Sequence, residues 1–486
     1  MYKRLQESFT RDKDFPLRQF VIAMRQRVLN GTLYDGLQHA FDQEKNEAGE
    51  YIKLRDRRPS VRYGLIKIVV GDSVALLFSE GHFPKIDSGD EENVKEALDR
   101  LIKETNLNQI MIDAATRGSV GSIAILFRVL GNRVFFEVMD TEYLTPVWQK
   151  DVPDTLERVE ERYKVKGRAL QASGYSIPET DLDATFWFGR DWTQLEETWY
   201  NPVKIDTANP QAPKFTKDAQ NSVAHQLGFV PVVWAKNLPG GDDIDGACTF
   251  PDEVIDTSIE IDYQLSQAGR GLKYSQDPTL LIKEPAFSDG KIVRSASNAI
   301  VVDAEGDAKL LEIEGTAANA VLEYVKALRE LALETARGNR VNADKMTSAQ
   351  SGRAMELMHA PLIRLADQLR ISYGEGALLS LLNMIIAASK KIALQFKDGT
   401  KVGKIETKAP ISLRWGPWFS PTQGDLQQMA TTLKALIDAG ILSRQTAVKI
   451  IAAAFDIEDA QAEYELAEKE RQERDAAATK QVTVNE

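Results

Sequence analysis

The spacing of apolar residues changes near residue 252, and this change limits the possible folds more than any other feature of the sequence. Between residues 160 and 235, aromatic and branched side chains alternate with polar ones, which predicts an antiparallel sheet. From residue 252 onward, apolar positions recur at alternating steps of four and three, which predicts a helix with a narrow, heptad-like seam. The seam consists of Val254, Ser258, Ile261, Leu265, Ala268 and Leu272. A seam of this kind indicates that another element packs alongside the helix.

A second helix is predicted after a short segment of strands and turns. Residues 277–314 contain the turn signals SDGK and AEGD, which favour short strands. The segment TAANAVLEYVKALRELALETARG follows, with Thr316 in the position of an N-cap and Gly338 just beyond the helix end. Its apolar stripe is formed by Val321, Val325, Leu328, Ala332 and Thr335. Two helices therefore bracket a small β-insert.

A polar loop and a long helix come next in the chain. Residues 339–350 lack a helical spacing of apolar residues, so a loop is predicted there. A helix is predicted over 351–390, and it would be about 60 Å long at a rise of 1.5 Å per residue. Pro361 lacks a backbone donor and its ring clashes with the preceding turn, so we expect a kink at this residue. Gly374 and Gly376 weaken the helix at a second place.

The N-terminal region carries a mixture of helical and strand signals. Residues 1–120 are predicted to be mostly helical, with a strand-like run at 66–78. Residues 127–138 are predicted to form a hairpin, because Gly131 and Asn132 can adopt the positive φ angles that a two-residue turn requires. The first 120 residues and the sheet that follows therefore indicate a mixed α/β region.

The C-terminal region begins with strands and becomes helical. Asp398 and Gly399 predict a hairpin turn. Ser420 and Gln423 have the spacing of a capping box, with Pro421 at the first helical position. Two further helices and a charged terminal helix are predicted after this cap. With the preceding regions, these signals give an α+β fold class in several units.

Composition and charge exclude several classes of protein. The chain has 486 residues, a formal net charge of −12 and one cysteine, Cys248. The length predicts about three folded units. A negative total argues against a protein that holds phosphates by bulk electrostatics, so we expect any nucleic acid to be handled without a tight grip. A single cysteine leaves no internal disulfide and no cysteine-based zinc site.

Targeting signals are not expected in this sequence. The first residues, MYKRLQESFTRDKDF, lack the apolar run of a signal peptide. The longest apolar run, at 377–388, is about twelve residues long and contains Asn383, which is too short for a membrane span. A buried helix and no membrane association are therefore predicted.

Catalytic and metal-binding motifs are not recognisable in the sequence. There is no nucleotide-binding P-loop, dinucleotide fingerprint or nucleophile elbow. The four histidines are far apart in sequence and none has the spacing of a zinc motif; they are His39, His82, His225 and His359. Asp242, Asp243 and Asp245 resemble a calcium loop only superficially, because no glutamate follows at the twelfth position. The sequence therefore predicts no enzyme active site, no metal and no cofactor.

A basic run near the N-terminus has two possible interpretations. The run comprises Lys53, Arg55, Arg57, Arg58 and Arg62. It can bind phosphate, or it can form ion pairs between subunits, and the acidic total of the chain favours ion pairs.

The order of predicted elements, together with two local segments, resembles the portal proteins of tailed bacteriophages. The segments are GFVPVVWAKN at 228–237, ahead of the first seam helix, and SGRAMELMHAPL at 351–362, ahead of the expected kink. The resemblance covers nearly the whole chain, and the order of elements carries most of it. It implies a portal-type multidomain α+β subunit.

The resemblance also implies an assignment for each segment. The implied parts are a wing at 1–251, a first stem helix at 252–275, a clip at 276–315, a second stem helix at 316–338, a tunnel loop at 339–350, a long kinked helix at 351–390, a strand return to the wing at 391–418 and a crown at 419–486. The implied channel-facing residues are Arg337, Asn339, Arg340, Asn342, Lys345 and Met346. The implied stem-packing residues are Val254, Ile261, Leu265, Leu272, Val321, Val325 and Leu328. The implied kink lies at Pro361.

The function that the resemblance implies is passage of DNA through a protein ring. Portal rings usually have twelve subunits and lie at one vertex of the capsid, where double-stranded DNA is pumped in and later ejected. The implied partners are other copies of the chain, the terminase large subunit, the head-completion adaptor, and the major capsid and scaffold proteins. The protein would be assembled in the cytoplasm of a bacterial host and would end in the virion.

Two other functions remain open from the residues. One is another capsid-associated protein, such as a head-tail connector or a scaffold. The second is a soluble hydrolase whose acidic catalytic residues cannot be paired from sequence. The cations Arg337, Arg340 and Lys345 also have a simpler interpretation as solvated loop charges.

Overall fold

The computed structural model describes most of the chain. The described residues are 1–79, 81–89, 91–206, 213–276, 279–285, 302–311, 316–339, 352–419, 422–452, 455, 457 and 459–484. The α-helices are α1 (Tyr2–Gln6), α2 (Leu17–Asn30), α3 (Leu65–Phe78), α4 (Glu92–Glu104), α5 (Leu107–Gly118), α6 (Gly167–Ala172), α7 (Asp252–Gln276), α8 (Thr316–Thr335), α9 (Gly352–Met358), α10 (Ala360–Leu369), α11 (Leu379–Ser389), α12 (Gln423–Asp438), α13 (Arg444–Ala452) and α14 (Ala460–Val484). A π-helical segment, Arg370–Leu378, joins α10 to α11.

The strands complete a mixed α+β architecture. They are β1 (Lys85–Asp87), β2 (Ser122–Leu130), β3 (Arg133–Asp140), β4 (Leu144–Trp148), β5 (Leu156–Lys166), β6 (Thr185–Trp192), β7 (Glu196–Tyr200), β8 (Val203–Lys204), β9 (Lys217–Ala224), β10 (Val232–Lys236), β11 (Thr279–Pro285), β12 (Val302–Leu311) and β13 (Ser412–Arg414). The chain divides into two compact units. The first unit contains Met1–Arg340 and Arg364–Trp415, and the second contains Val341–Ile363 and Gly416–Glu486.

Two antiparallel sheets form the β-structure of the first unit ahead of α7. One has the strand order β4-β5-β6-β7-β9, with β8 paired to β6, and the second has the order β10-β2-β3. The antiparallel sheet predicted between residues 160 and 235 is therefore confirmed. The hairpin between β2 and β3 is also confirmed, because Gly131 and Asn132 turn the chain with φ angles of 55° and 64°. Both angles are positive, as a type I′ turn requires.

The strand predicted at 66–78 is wrong, because these residues form helix α3. Nine of its fourteen residues are buried, and its sequence LIKIVVGDSVALLF is apolar at most positions. The exposed positions of α3 include Ile68, Gly71 and Ala75, which are not polar, so the helical period of 3.6 is hard to recognise in the sequence. The length of the segment, which exceeds that of most strands, is the signal that favours a helix.

Helices α7 and α8 pack against each other, and the chain between them forms paired strands. Strand β11 pairs with β12 in antiparallel register, from Thr279 opposite Leu311 to Lys283 opposite Asp307. The first unit thus includes a helical hairpin that carries a β-ribbon. Close packing of the two helices accounts for the narrow apolar seam that each one shows in sequence.

The long helix predicted over 351–390 is interrupted twice in the structure. Helix α9 ends at Met358, and α10 begins at Ala360, with a turn at His359. Pro361 is the second residue of α10, where a missing backbone donor costs little. The second irregularity is the π-helical segment Arg370–Leu378, which contains both glycines that were expected to weaken the helix.

One helical stretch among the described residues meets a length and composition test for membrane crossing. This stretch is Ala360–Ser389, and half of its most apolar part is buried inside the protein. Core helices of proteins pass the same test, so the observation is weak evidence for a membrane span.

The second unit is helical, and its first cap differs from the prediction. The N-cap of α12 is Thr422, whose hydroxyl accepts from the Asp425 backbone N–H, while the Asp425 carboxylate accepts from the Thr422 backbone N–H. The capping box predicted at Ser420 and Gln423 is therefore wrong, because the observed box lies two residues later in the sequence, at Thr422 and Asp425. Aspartate replaces the expected glutamate or glutamine because its shorter side chain still reaches back to the Thr422 N–H.

Candidate channel-facing site

The C-terminus of α8 leads into the segment for which a tunnel loop was predicted. The Arg337 N–H donates to the Glu334 carbonyl (3.2 Å), and the Gly338 N–H donates to the Leu333 carbonyl (2.8 Å). These two bonds form a Schellman motif, which ends a helix with one left-handed residue. The left-handed residue is Arg337, with φ of 54°. The chain therefore leaves α8 through an arginine in a conformation that glycine usually adopts.

Gly338 follows the left-handed position, and packing explains why it is a glycine. A Cβ atom at Gly338 would lie 2.9 Å from Leu333 Cδ2 and 3.5 Å from Val69 Cγ2. Gly338 was predicted to lie just beyond the helix end, and α8 ends at Thr335, three residues before it. Side chains of α8 and α3 therefore approach the Gly338 backbone, and a larger residue there would require the Leu333 side chain to move.

The Arg337 side chain has a neutral hydrogen-bond partner. Its Nη1 donates to Gln368 Oε1 in α10 at 3.2 Å, and both residues lie at the surface of the first unit. Among the described residues, no carboxylate forms an ion pair with Arg337. The bond orients the guanidinium, and its positive charge remains available to an external anion.

The other predicted channel-facing residues fall at or beyond the edge of the described chain. Asn339 is half-buried. Arg340, Asn342, Lys345 and Met346 lie outside the described residues. The assignment of these residues to a DNA-facing loop remains a prediction.

The predicted stem-packing residues differ in their burial. Val254, Ile261 and Val325 are buried inside the chain. Leu265, Val321 and Leu328 are half-buried, and Leu272 is 46% exposed. The chain itself therefore covers Val254, Ile261 and Val325, whereas Leu272 remains exposed.

The π-helical segment is a feature that sequence reasoning missed. It directs Tyr373 into the core of the first unit, where the hydroxyl donates to Asn237 Oδ1 at 3.1 Å. Asn237 in turn donates to the Ala247 carbonyl (2.8 Å) and to Thr249 Oγ1 (2.9 Å). Extra residues in a helical turn reorient side chains, and such segments are frequent at functional sites. The pair Gly374 and Gly376 was the only available signal.

Arg370 begins the π-helical segment and stacks on an aromatic ring. Its guanidinium lies 4.5 Å from the centroid of the Trp415 ring. Burial lowers the pKa of Arg370 to about 10. Gly374 is next to the same ring, and a Cβ atom there would overlap Trp415. The glycine therefore permits the tryptophan to cover the segment.

The aspartates of the GGDDIDG loop have structural roles. Asp242 Oδ1 accepts from the backbone N–H groups of Ile244 (2.8 Å) and Asp245 (2.6 Å). Asp245 is buried and accepts two bonds from Arg18, at 2.5 and 2.8 Å. No group of three or more potential metal ligands occurs among the described residues. The sequence did not reveal that Asp245 would be buried beneath Arg18.

The basic run separates into a buried arginine and exposed cations. Arg57 is fully buried, and its guanidinium donates to the carbonyls of Ile52 and Phe41. Lys53, Arg55 and Arg58 are exposed. The run is therefore not one continuous cationic patch.

Together, these features define a multi-unit α+β protein with a helical hairpin, antiparallel sheets and a separate helical unit. A family model described as "Phage portal protein, SPP1 Gp6-like" matches residues 29–477. The chain belongs to this family of phage portal proteins, as its sequence resemblance predicted.

Similarities to solved structures are weaker. A chain in a structure described as the neck of an empty GTA particle computed with C6 symmetry is 11% identical, with a TM-score of 0.42; the match covers 80% of this chain and 88% of that one. A chain in the virion of a native gene transfer agent (GTA) particle is 13% identical, with a TM-score of 0.36, covering 81% and 94%. Neither similarity is strong enough to assign a role to this chain.

A partial sequence match connects the chain to an enzyme. The 1-deoxy-D-xylulose-5-phosphate synthase of Halalkalibacterium halodurans is 28% identical over 199 residues. The match covers 38% of this chain and spans 30% of the length of that enzyme. Because the match is partial, the activity of the enzyme does not extend to this chain.

Proposed function

We propose that copies of this chain form a ring, of twelve subunits, whose channel conducts double-stranded DNA into and out of a phage capsid. The observation that carries the proposal is the family match over residues 29–477. The role is structural, and the chain itself catalyses no reaction. The ring is assembled in the cytoplasm of the bacterial host and occupies one vertex of the virion.

The helical hairpin supports the assignment of a stem and a clip. Helices α7 and α8 pack together and carry the β11–β12 ribbon between them. In the proposed ring these helices surround the channel, and the ribbon, within 276–315, meets first the terminase large subunit and later the head-completion adaptor. The wing and the crown, at 419–486, face the major capsid and scaffold proteins.

The net charge supports passage of DNA without capture. A duplex carries one negative charge per roughly 1.7 Å of its axis, so a channel rich in Lys and Arg would bind it and slow its movement. Each copy of the chain instead contributes a net charge of −12. Arg337, which has no carboxylate partner among the described residues, and the predicted loop cations Arg340 and Lys345 guide the duplex at isolated points.

Imaging of the purified assembly tests the proposal. Electron microscopy is expected to reveal rings with an axial hole wide enough for a duplex, and native mass spectrometry is expected to give twelve copies. A ring with another number of copies would correct the stoichiometry alone. A protein that stays monomeric under all conditions and in assembled particles would refute the proposal, and turnover of a substrate would favour a hydrolase.

A further inference from the structure

The exposed cations of the basic run lie on a rigid loop beside α7. The Tyr263 hydroxyl of α7 donates to the carbonyls of Arg55 (3.2 Å) and Arg57 (2.8 Å), which fixes the loop backbone. Lys53 and Arg55 extend from this loop into solvent. Within the described part of the chain, neither side chain forms an ion pair with a carboxylate. Both side chains are therefore available to a carboxylate outside the chain.

A hollow of about 410 Å³ adjoins these cations. The loop contributes Lys53, Leu54 and Arg55 to its wall, and α7 contributes Glu260 and Tyr263. The Glu260 carboxylate accepts from Gln264 Nε2 at 2.7 Å. The lining, which also includes Met1, Gln264 and Gln267, therefore combines apolar surface with a carboxylate acceptor and two cations. A side chain with an apolar body and a hydroxyl donor matches it in chemistry.

The outward side of α8 carries such a side chain next to acids. Tyr324 and Leu331, seven residues apart, are 47% and 56% exposed. They lie about 100° around the helix from Val325 and Ala332, which are buried in the chain. The acids Glu323 and Glu330 lie about another 100° further toward solvent. The result is a stripe of two apolar residues bordered by two exposed carboxylates.

These two surfaces carry groups of complementary charge. The α8 stripe offers a phenol and two carboxylates, while the hollow offers apolar walls, an acceptor and two cations. Glu323 pairs with Lys326 within α8 at 2.6 Å, but both side chains are exposed, so this pair contributes little and can be exchanged. Because the surfaces differ from each other and occur on the same chain, their contact joins successive copies head to tail.

We propose that the α8 stripe of one subunit docks into the hollow beside α7 of the next, with Tyr324 entering it and Glu323 and Glu330 pairing with Lys53 and Arg55. This contact rests on the proposed function, since it is one of the contacts that close the ring. The proposed contact gives Lys53 and Arg55 of the basic run a role in the pairing of subunits. Phosphate binding by the same cations is the competing outcome.

A charge exchange between the two surfaces tests the contact. The variants are K53E/R55E, E323K/E330K and the quadruple combination, compared by mass photometry over a series of protein concentrations. Each double variant is expected to raise the concentration for half-assembly by about tenfold or more, because like charges then face each other. The quadruple variant, which restores opposite charges, is expected to return close to the wild-type value.

A matched control separates the contact from a general effect of charge. Lys150 and Lys214 are exposed residues of the first unit, and K150E/K214E makes the same change in net charge as K53E/R55E. This control is expected to assemble like the wild type, and thermal unfolding is used to verify the fold of every variant. Loss of assembly in the control would overturn the assignment, because net charge alone would then be responsible.

Three further outcomes would overturn the proposed contact. Double variants that assemble like the wild type, while the wild type forms rings, would refute this interface and leave the proposed function intact. A quadruple variant as defective as the weaker double variant would show that the two surfaces do not meet. A wild-type protein that forms no rings would refute the proposed function together with the contact.

Discussion

Arg337 has the least favourable backbone conformation for its residue type at the end of α8. A left-handed conformation costs an L-residue roughly 1–2 kcal/mol, because its Cβ approaches the following carbonyl. Arg337 has this conformation, with φ of 54°. Such a cost is tolerated when the side chain contributes to function. The proposed DNA-facing role of Arg337 would explain why a glycine does not occupy this position.

Arg337→Gly is therefore expected to stabilise the subunit by about 1 kcal/mol, because glycine adopts positive φ without steric cost. The lost bond to Gln368 is exposed and contributes little. Urea unfolding at a fixed protomer concentration measures the change. The control is Ala327→Gly, at an exposed position within the same helix, which should destabilise by about 1 kcal/mol. Destabilisation by both substitutions would contradict this account of Arg337.

A second residue-scale feature is the buried carboxylate of Asp262 in α7. It accepts from the Tyr34 hydroxyl and from the Tyr63 backbone N–H, each at 2.7 Å. Burial raises the pKa of Asp262 above its usual 3.8, while these two donors and Arg62 act in the opposite direction. The hydrogen bonds therefore stabilise the ionised form of the carboxylate against the effect of burial, which is the larger of the two.

Tyr34→Phe is expected to destabilise the protein by about 2 kcal/mol at neutral pH, because an ionised buried acceptor loses a donor. The folded-state pKa of Asp262 then rises further. As the pH falls, Asp262 of the variant takes up a proton at a higher pH than Asp262 of the wild type does. The difference in unfolding free energy between the two proteins therefore becomes smaller toward acid pH. Urea unfolding between neutral and acid pH measures this trend. A loss that grows toward acid pH would contradict it, and the exposed control Tyr51→Phe should change little.

Among the secondary-structure elements, the π-helical segment between α10 and α11 depends most on its tertiary neighbours. It directs Tyr373 to Asn237 and places Gly374 against the Trp415 ring. The two glycines of the segment have different surroundings. Gly374 is buried against the ring, whereas Gly376 is exposed and its nearest neighbour to a new Cβ is the Ile371 carbonyl oxygen at 3.4 Å.

The two glycines should therefore respond oppositely to alanine. Gly374→Ala is expected to cost about 1–3 kcal/mol, because the new methyl group displaces Trp415 in a packed core. Gly376→Ala adds no comparable overlap and is expected to be neutral or to stabilise by up to about 1 kcal/mol through helix propensity. Thermal and urea unfolding of the two variants under the same conditions measure the difference. Equal effects of the two substitutions would refute the role of the Trp415 contact.

At the scale of the whole molecule, the net negative charge of the chain suits the proposed channel for DNA. The formal charge of −12 repels phosphates in general, so the effect of any cation depends on where it lies. The predicted tunnel loop concentrates Arg340 and Lys345 next to Arg337, whose charge is oriented by Gln368. In the proposed ring, the residues that guide the duplex are therefore different from the residues of α7 and α8 that join neighbouring subunits.

Arg340→Ala with Lys345→Ala is expected to leave ring assembly intact and to reduce the DNA packaged or retained, several-fold in a packaging assay. The reason is that in the proposed ring these cations contact the moving duplex and do not take part in subunit pairing. Particle DNA content and ring images are measured together. Loss of rings with full folding would show that the segment serves assembly, and the matched pair Lys150→Ala with Lys214→Ala should leave both quantities unchanged.

The sequence by itself determined the elements whose signals are local. The turn at Gly131 and Asn132 was predictable because few residues adopt positive φ, and the seam of α7 was predictable because helical periodicity survives when one face is buried. The family was also recognisable, since the order of these elements along the chain is itself a sequence property.

Only the tertiary structure decided the features that arise from contacts between distant segments. Residues 66–78 form α3, whose exposed positions include Ile68, Gly71 and Ala75, so the periodicity that identifies a helix is hidden in the sequence. The π-helical segment around Tyr373 and the burial of Asp245 by Arg18 depend on partners far away in sequence. The physical reason is that such packing and hydrogen bonds compensate for locally unfavourable conformations, and no window of sequence contains both partners.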